Sequence, residues 1–339
     1  MNDAWIRSIC QNPKLQSLAL LSLADTTVVW SLVNESSSLT SLNVFRMTMM
    51  KRHDTTFLPL SLRSLKIHIL ESRFELDHVL SLMTSLQSLK IHSHSEHIDP
   101  LLSIASLSSL TELELNYCYL TLDEFNVLAK NHPQLHHLAI GGFRSIGHER
   151  SDWPHNTLFP IQTISYLKIR HMMSPCRVLL RSITKLPLLK SLHLAGCFTF
   201  DSLPGLHPCP LLEEVSLVIT TIGSEYTIGL RQWCQWLLFS TNLQSICLSD
   251  TFIGVELPQI ALLSALPLQK LRLSCCALGA CSDKPFPDVP KSLKILDLSF
   301  NGINFTKWND QLHLSHPTLS VWTLSEDVPE HLCTRCVHT

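Results

Sequence analysis

Apolar residues recur along the chain in a six-residue pattern: one apolar position, two variable ones, a second apolar, one polar, and a third apolar. The pattern Leu-x-x-Leu-x-Leu, with Val or Ile allowed, begins at Leu15, Leu39, Leu62, Leu86, Leu110, Leu135, Ile164, Leu189, Leu212, Leu243, Leu268 and Leu293. A degraded copy, LSVWTL, begins at Leu319. Most spacings are 23 to 25 residues, one is 26, and two are close to 30. The stretches SLRSLKIHIL (61–70) and SLQSLKIHSH (85–94) are near copies of each other. A fixed period of this size points to stacked structural repeats rather than duplicated ligand sites. Within x-Leu-x-Leu-x, successive side chains leave a strand on opposite faces, so both leucines point to one side. The connecting stretches LDEFNVLAKNHPQL (122–135), LLRSITKLPLL (179–189) and LLSIASLSSL (101–110) have apolar residues three and four apart. They close on Pro, Asn or Ser, which predicts a short helix and its exit turn. One strand–helix unit cannot bury its own leucines, whereas stacked units form a continuous parallel sheet with helices outside.

With that template in place, the chain resembles the leucine-rich-repeat superfamily over essentially its whole length. The family pattern continues with Asn or Cys three residues after the last leucine, and here that slot holds Cys118, Cys197, Cys276 and Asn301. Thr220 and Thr251 are close variants, while Leu23, Met47, Leu70, His94, Phe143 and Met172 depart from it. The NYC, AGC and SCC stretches, with the helix-end signatures NHPQL and QNPKL, are similar to the cysteine-containing (F-box-associated) and ribonuclease-inhibitor-like subclasses. The resemblance implies an α/β fold: a right-handed solenoid, or horseshoe, with a parallel concave sheet and short helices on the convex side. Residues 1–327 would form about 13 repeats, and residues 328–339 a C-terminal tail. The opening DAWIRSICQNPKL reads as the helix half of a repeat, with Trp5, Ile6 and Ile9 as a minimal cap. No F-box-like segment stands in the sequence.

If the leucines point inward, the residues between them form the face that meets a partner. These are Ser64, Lys66 and His68, then Ser88, Lys90 and His92, then Glu112, Glu114 and Asn116. His137, Ala139 and Gly141 follow, then Tyr166, Lys168 and Arg170, then Ser191, His193 and Ala195, with Lys270, Arg272 and Ser274 farther on. Repeats three and four present a basic block, reinforced by Arg63, and repeat five is acidic. Tyr166 beside two cations has the composition of an interface hot spot. The expected partner-contact set is therefore Arg63, Lys66, His68, Lys90, His92, Glu112, Glu114, Asn116, Tyr166, Lys168 and Arg170. The insertion GGFRSIGHERSDWPHNTLFP (141–160) reads as a protruding loop, and Trp233 and Trp236 as packing residues of a helical stretch. GACSDKPFPDVPK (279–291) replaces a helix with a Pro-rich turn segment.

Composition narrows the function classes. The 339 residues are 45% hydrophobic and 16% charged, with a formal net charge of −2. That balance gives no general pull toward nucleic acid or anionic membrane. No apolar run approaches the roughly 20 residues needed to span a bilayer, and MNDAWIRSICQNP lacks the apolar region of a secretory signal. Among the 12 cysteines, those in the repeat slot read as small buried thiols, and Cys10, Cys176 and Cys234 as core residues of helix-like segments. All are expected to be reduced, in a cytoplasmic or nuclear compartment. Cys333 and Cys336 in HLCTRCVHT have ligand spacing, flanked by His331 and His338, but a second pair to complete tetrahedral zinc is missing. His92, His94 and His97 divide between different faces of one strand, so no metal is expected there either. HExxH, GxSxG, GxGxxG and GxxxxGK[ST] are all absent, and Glu112, Glu114, Glu213 and Glu214 fall on an open strand face.

These features point to a monomeric, non-enzymatic protein-interaction scaffold without cofactor, metal, nucleic acid or membrane. The resemblance implies an adaptor of the ubiquitin-ligase substrate-receptor kind. The alternatives are a ribonuclease-inhibitor-like or regulatory binder that occludes its target, and a zinc- or nucleic-acid-binding protein resting on the C-terminal cysteines.

Overall fold

A computed structural model describes residues 8–9, 11–20, 36–47, 61–69, 80, 83–93, 104–143, 159–172, 177–196, 207–219, 230–250, 254–276, 278, 284–301, 303 and 306–322. The chain divides into two compact units, Met1–Glu149 with Pro160–Ile164, and Arg150–Phe159 with Ser165–Thr339. The 144–158 part of the insertion, the tail with Cys333 and Cys336, Trp5, Ile6, His94, His97 and Cys197 lie outside the described residues.

The first unit holds strands β1 (Ser17–Leu20), β2 (Ser41–Met47), β3 (Ser64–Ile69), β4 (Ser88–Ser93), β5 (Glu112–Leu120) and β6 (His137–Phe143). Each pairs in parallel with the next. Equivalent template positions stand side by side: Leu65 beside Leu89, and Leu89 beside Leu113. The inward leucines and isoleucines of β3, β4 and β5 have essentially no solvent exposure. Removing each such side chain from water stabilises by roughly 1.5–3 kcal/mol, so this row is what each repeat contributes to its neighbours. Helix α1 (Leu122–Asn131) follows β5. Its start is set by a capping box, in which the Thr121 hydroxyl accepts from the Glu124 N–H at 3.2 Å while the Glu124 carboxylate accepts from the Thr121 N–H. Those two bonds satisfy orphan donors of the first turn.

The second unit repeats the plan with β7 (Tyr166–Met172), β8 (Ser191–Gly196), β9 (Glu214–Ile219), β10 (Ser245–Ser249), β11 (Lys270–Ser274), β12 (Ile295–Asp297) and β13 (Ser320–Trp322), all parallel neighbours. The connections vary more than the strands. Helices α2 (Arg177–Ile183), α3 (Leu230–Leu237) and α4 (Thr306–Ser315) alternate with a 3₁₀ stretch, Gly254–Ala265, which contains Pro258. Proline lacks the N–H that an α-helix interior needs, which accounts for the tighter, irregular winding there. The Pro-rich 284–290 is non-helical, as expected, and it seats Phe286 edge-on against Trp308 with ring centroids 5.0 Å apart. Trp233 and Trp236 are buried packing residues, and the Trp236 indole N–H donates to the His207 carbonyl at 2.8 Å.

Two backbone devices recur. The carbonyl of the second template residue accepts two N–H groups from the next repeat: Arg63 from Gln87 and Ser88, Gln87 from Thr111 and Glu112, Glu213 from Gln244 and Ser245. Just ahead of most strands, the N–H of the first template leucine closes a turn on the residue three before it, as in Leu86 to Met83, Leu135 to His132 and Leu243 to Ser240. At this turn position Met83, Leu107, His132, Cys209 and Ser240 are buried. The composition of that position varies too widely for the sequence alone to reveal it.

The family slot acts as a ladder rung. Asn301 is buried, accepts from the Cys276 N–H at 2.6 Å, and donates to the carbonyls of Leu298 at 2.9 Å and Ser299 at 3.2 Å, and to that of Leu273. Cys276 fills the same slot one repeat earlier as a buried thiol outside any disulfide, with its sulfur 3.4 Å from the Leu248 carbonyl and 3.3 Å from that of Ser274. Cys118 is likewise buried and not disulfide-bonded. The residue before the slot carries left-handed backbone in three successive repeats: Asp250 (φ 57°), Cys275 (φ 53°) and Phe300 (φ 60°). At Phe300 that conformation stores roughly 1–3 kcal/mol of strain, held in place by the ladder beside it. One expectation fails here. Cys275 is disulfide-bonded, so the expectation that every cysteine is reduced does not hold. Disulfides persist in oxidising surroundings, and the argument for a reducing compartment loses its premise.

Candidate binding faces on the strands

The outward residues of β2–β5 stand in rows because the pairing runs without offset across β3–β4 and β4–β5 and, between β2 and β3, as far as Val44 beside Ile67. In the lower row, Asn43, Lys66, Lys90 and Glu114 are successive partners. The Lys66 ammonium lies 5.8 Å from the centroid of the Phe45 ring, and the Lys90 ammonium is ion-paired with Glu114. His137 Nε2 approaches the same carboxylate at 3.2 Å. Burial raises the pKa of Glu114, but hydrogen bonds from His137 and Lys90, and their charges, outweigh it and bring the value from 4.5 down to about 2. The basic block of repeats three and four and the acidic repeat five therefore meet and partly neutralise each other at the β4–β5 seam. On the row before it, Ser88 donates to Glu112 at 3.0 Å.

The upper row is a stack of rings. Phe45 lies parallel to His68 with centroids 4.1 Å apart, and His68 lies parallel to His92 at 4.3 Å. The Asn116 amide nitrogen closes the stack 3.0 Å from His92 Nδ1. Asn116 itself has no solvent exposure. The sequence places it on the contact face; in the structure its short side chain is covered within this stack, beside His92. Arg63 is exposed at the entry to β3. Phe45 was absent from the expected set, although its place in the same row follows once the 23-residue step from β2 to β3 is applied.

In the second unit the outward residues of β7–β11 line a concavity of about 350 Å³. Tyr166, Lys168 and Arg170 come from β7, His193 from β8, Glu214 and Ser216 from β9, Ser245, Cys247 and Ser249 from β10, and Lys270 and Arg272 from β11. The Tyr166 ring tilts against His193 at 5.1 Å. Ser191 bonds to His193 Nε2 at 2.8 Å and to Glu214 at 3.3 Å. The Arg272 Nε donates to Asp297 at 2.8 Å, and Asp297 in turn accepts from the Ser299 hydroxyl at 2.6 Å. Three expected residues, Tyr166, Lys168 and Arg170, thus sit together in one concavity. Arg63, Lys66, His68, Lys90, His92, Glu112 and Glu114 belong to the first unit. Lys270 and Arg272 were read as outward-facing but left out of the contact set, because only the strand register shows that they share a concavity with β7.

Among the described residues, no group of three or more His, Cys, Asp or Glu residues could hold a metal ion, and no helix is long and apolar enough to cross a membrane. Burial pushes the Cys209 thiol up to about 12, the opposite of what a nucleophile requires.

No protein-family model matches the chain, and no curated protein matches it. Among solved structures, an internalin from Listeria monocytogenes is 16% identical, with a TM-score of 0.42, covering 85% of this chain and 93% of its own. A leucine-rich-repeat protein from Leptospira interrogans is also 16% identical, with a TM-score of 0.37, covering 93% of this chain and 91% of its own. The fold is established by the chain's own geometry. One parallel strand per period, leucine rows facing inward and the buried slot residues Cys118, Cys276 and Asn301 after their strands make the fold that of a leucine-rich-repeat solenoid.

Proposed function

We propose that the chain is a non-enzymatic scaffold that binds a partner protein on the outward faces of its strands. The observation that carries this reading is the contrast between the two faces of each sheet. One face is a closed row of buried leucines, while the other presents Lys66, His92 and Glu112 in the first unit and the Tyr166–Arg272 concavity in the second. Residues offered in rows at roughly 4.8 Å steps suit an extended protein surface better than a metabolite. The contact set comprises Arg63, Lys66, His68, Lys90, His92, Glu112 and Glu114, with Tyr166, Lys168 and Arg170.

Within that class, an adaptor of the ubiquitin-ligase substrate-receptor kind is the first specific reading, and an occluding, ribonuclease-inhibitor-like binder is the second. Affinity capture followed by mass spectrometry separates them, since a ligase scaffold or a single stoichiometric target dominates the hits. The face is tested on the captured partner with Tyr166→Ala and Lys66→Glu, using Lys130→Glu on α1 and Lys185→Glu beyond α2 as controls. Truncating an aromatic anchor should weaken binding by about 1–3 kcal/mol, mainly through faster dissociation. Silent strand-face variants with damaging controls would move the binding site off the sheet and end this reading.

A further inference from the structure

A difference in side-chain length shapes the concavity of the second unit. In its lower row Tyr166, Ser191, Glu214, Ser245 and Lys270 are successive register partners from β7 to β11. In the middle row His193, Ser216, Cys247 and Arg272 follow one another from β8 to β11. The short side chains of Ser216, Ser245 and Cys247 therefore make a floor over β9 and β10, and longer ones stand on either side. Polar groups at its borders are already held in place. Ser191 meets His193 Nε2 at 2.8 Å and donates to Glu214 at 3.3 Å. Arg272 donates to Asp297 at 2.8 Å, and Asp297 accepts from the Ser299 hydroxyl at 2.6 Å. Ser216, Ser245 and Lys270 are half-buried, and among the described residues no hydrogen bond engages their side chains.

We infer that this floor is a saccharide site, which takes a neutral sugar either free in solution or carried as a glycan. The row Glu214, Ser245, Lys270 presents an acceptor, a hydroxyl and a donor at steps of roughly 4.8 Å. A sugar hydroxyl donates and accepts at once, so neighbouring hydroxyls on linked rings satisfy all three groups. Other ligand chemistries leave one of them opposed. An anion placed over Lys270 has the Glu214 carboxylate two strands away, and a cation over Glu214 has the Lys270 ammonium at the same remove. An apolar group would cover Ser216, Ser245 and Lys270 and leave their polar atoms without partners. Border groups fixed before the ligand arrives reduce the ordering that binding requires. Tyr166 lines the β7 end with an aromatic ring, the kind of surface against which the C–H face of a sugar packs. The size agrees, since about 350 Å³ lies near the lower end of ligand sites, which run from roughly 300 to 1,000 Å³. This inference goes beyond the protein-partner reading above and does not depend on it, because a free saccharide needs no partner.

The test applies the full chain to an array of immobilised oligosaccharides: neutral, sialylated and sulfated. Saturable binding to at least one neutral glycan is expected. The same glycan, free in solution, should protect Cys247 from iodoacetamide in peptide-level mass spectrometry, because that half-exposed thiol stands on the floor. Ser245→Leu, which fills the floor, should abolish binding. Lys270→Met and Glu214→Leu should each weaken it about tenfold or more with urea melts like wild type, whereas Lys130→Glu should leave it intact. Equal affinity for the free glycan and for a glycoprotein bearing it assigns the sugar as the whole ligand; tighter binding of the glycoprotein adds contacts from the carrier. Binding confined to sialylated or sulfated glycans would overturn the neutral assignment, as would displacement of the glycan by an equal concentration of a Gly/Ser hexapeptide. Binding that survives both Ser245→Leu and Lys270→Met, or no saturable binding to any glycan, would overturn the site itself. The strand face as a protein-binding surface is decided separately, by Tyr166→Ala against the captured partner.

Discussion

Replacing Glu114 with Gln keeps the side chain's shape and removes its charge at the β4–β5 seam. Its carboxylate is ion-paired with Lys90 and lies 3.2 Å from His137, with 17% of the side chain exposed. Its pKa falls from 4.5 to about 2 because the hydrogen bonds from His137 and Lys90 outweigh burial. At about 1.4 kcal/mol per tenfold change in proton affinity, that fall corresponds to at most about 3.4 kcal/mol. Solvent reaches the Lys90 side chain, which is 32% exposed, and screening brings the expectation to roughly 1–3 kcal/mol. The sign follows from linkage. A carboxyl whose folded pKa is depressed stabilises above its unfolded value of 4.5 and loses that stabilisation as pH falls toward 2. Urea denaturation of wild type and Glu114→Gln should therefore differ by roughly 1–3 kcal/mol at pH 7, and by less than half of that near pH 3. A difference that stays constant between those two pH values, or no difference at pH 7, would refute the assignment of Glu114 as the buried end of this ion pair.

Three further outcomes check other levels of the structure. Leu192→Ala, at an inward position of β8, should cost about 2–5 kcal/mol in urea melts, against less than about 1 kcal/mol for the outward Ser191→Ala; equal effects would break the assigned register. Asn301→Ala leaves the buried Cys276 N–H without its 2.6 Å acceptor and should cost about 1–3 kcal/mol, with local hydrogen exchange quickening around residues 273–301. Burial depresses the pKa of His132, opposed by the Ile104 carbonyl, so the stability tied to its neutral form is present above 6.5 and declines as pH falls below it. His132→Met, which installs the residue found at the same turn position as Met83, should flatten that acid limb in thermal melts at pH 7 and pH 5.

The inward face was legible because it depends on one variable, the alternation of leucine with polar residues, and the period set which strands are neighbours. Leu65, Leu89 and Leu113 could be placed side by side before any coordinates were known. The outward face was legible only in part, because it depends on register and on how far each side chain reaches. Lys90 and Glu114 are 24 residues apart and paired, yet the sequence reads them as members of separate basic and acidic blocks. Asn116 belongs to the outward set by parity and is nonetheless covered, since a short amide beside stacked imidazoles is sealed by its neighbours. The slot cysteines followed the period, whereas the disulfide at Cys275 depends on a spatial approach that residue spacing does not encode.

The shared carbonyl at the second template position has a consequence for how such a chain can change its length. Arg63, Gln87 and Glu213 each accept two N–H groups from the following repeat, and in most repeats the turn three residues ahead of the first leucine is hydrogen-bonded to that leucine's own N–H. A one-residue insertion or deletion between that turn and the end of the strand would break both bonds and flip the leucines outward. The stretch after the slot carries no such constraint, and it is there that α-helix, 3₁₀ winding and extended Pro-rich chain replace one another. Growth and shrinkage are therefore confined to one window per repeat or to whole repeats at a time, so new loops can be added to this protein without disturbing the outward rows of its strands.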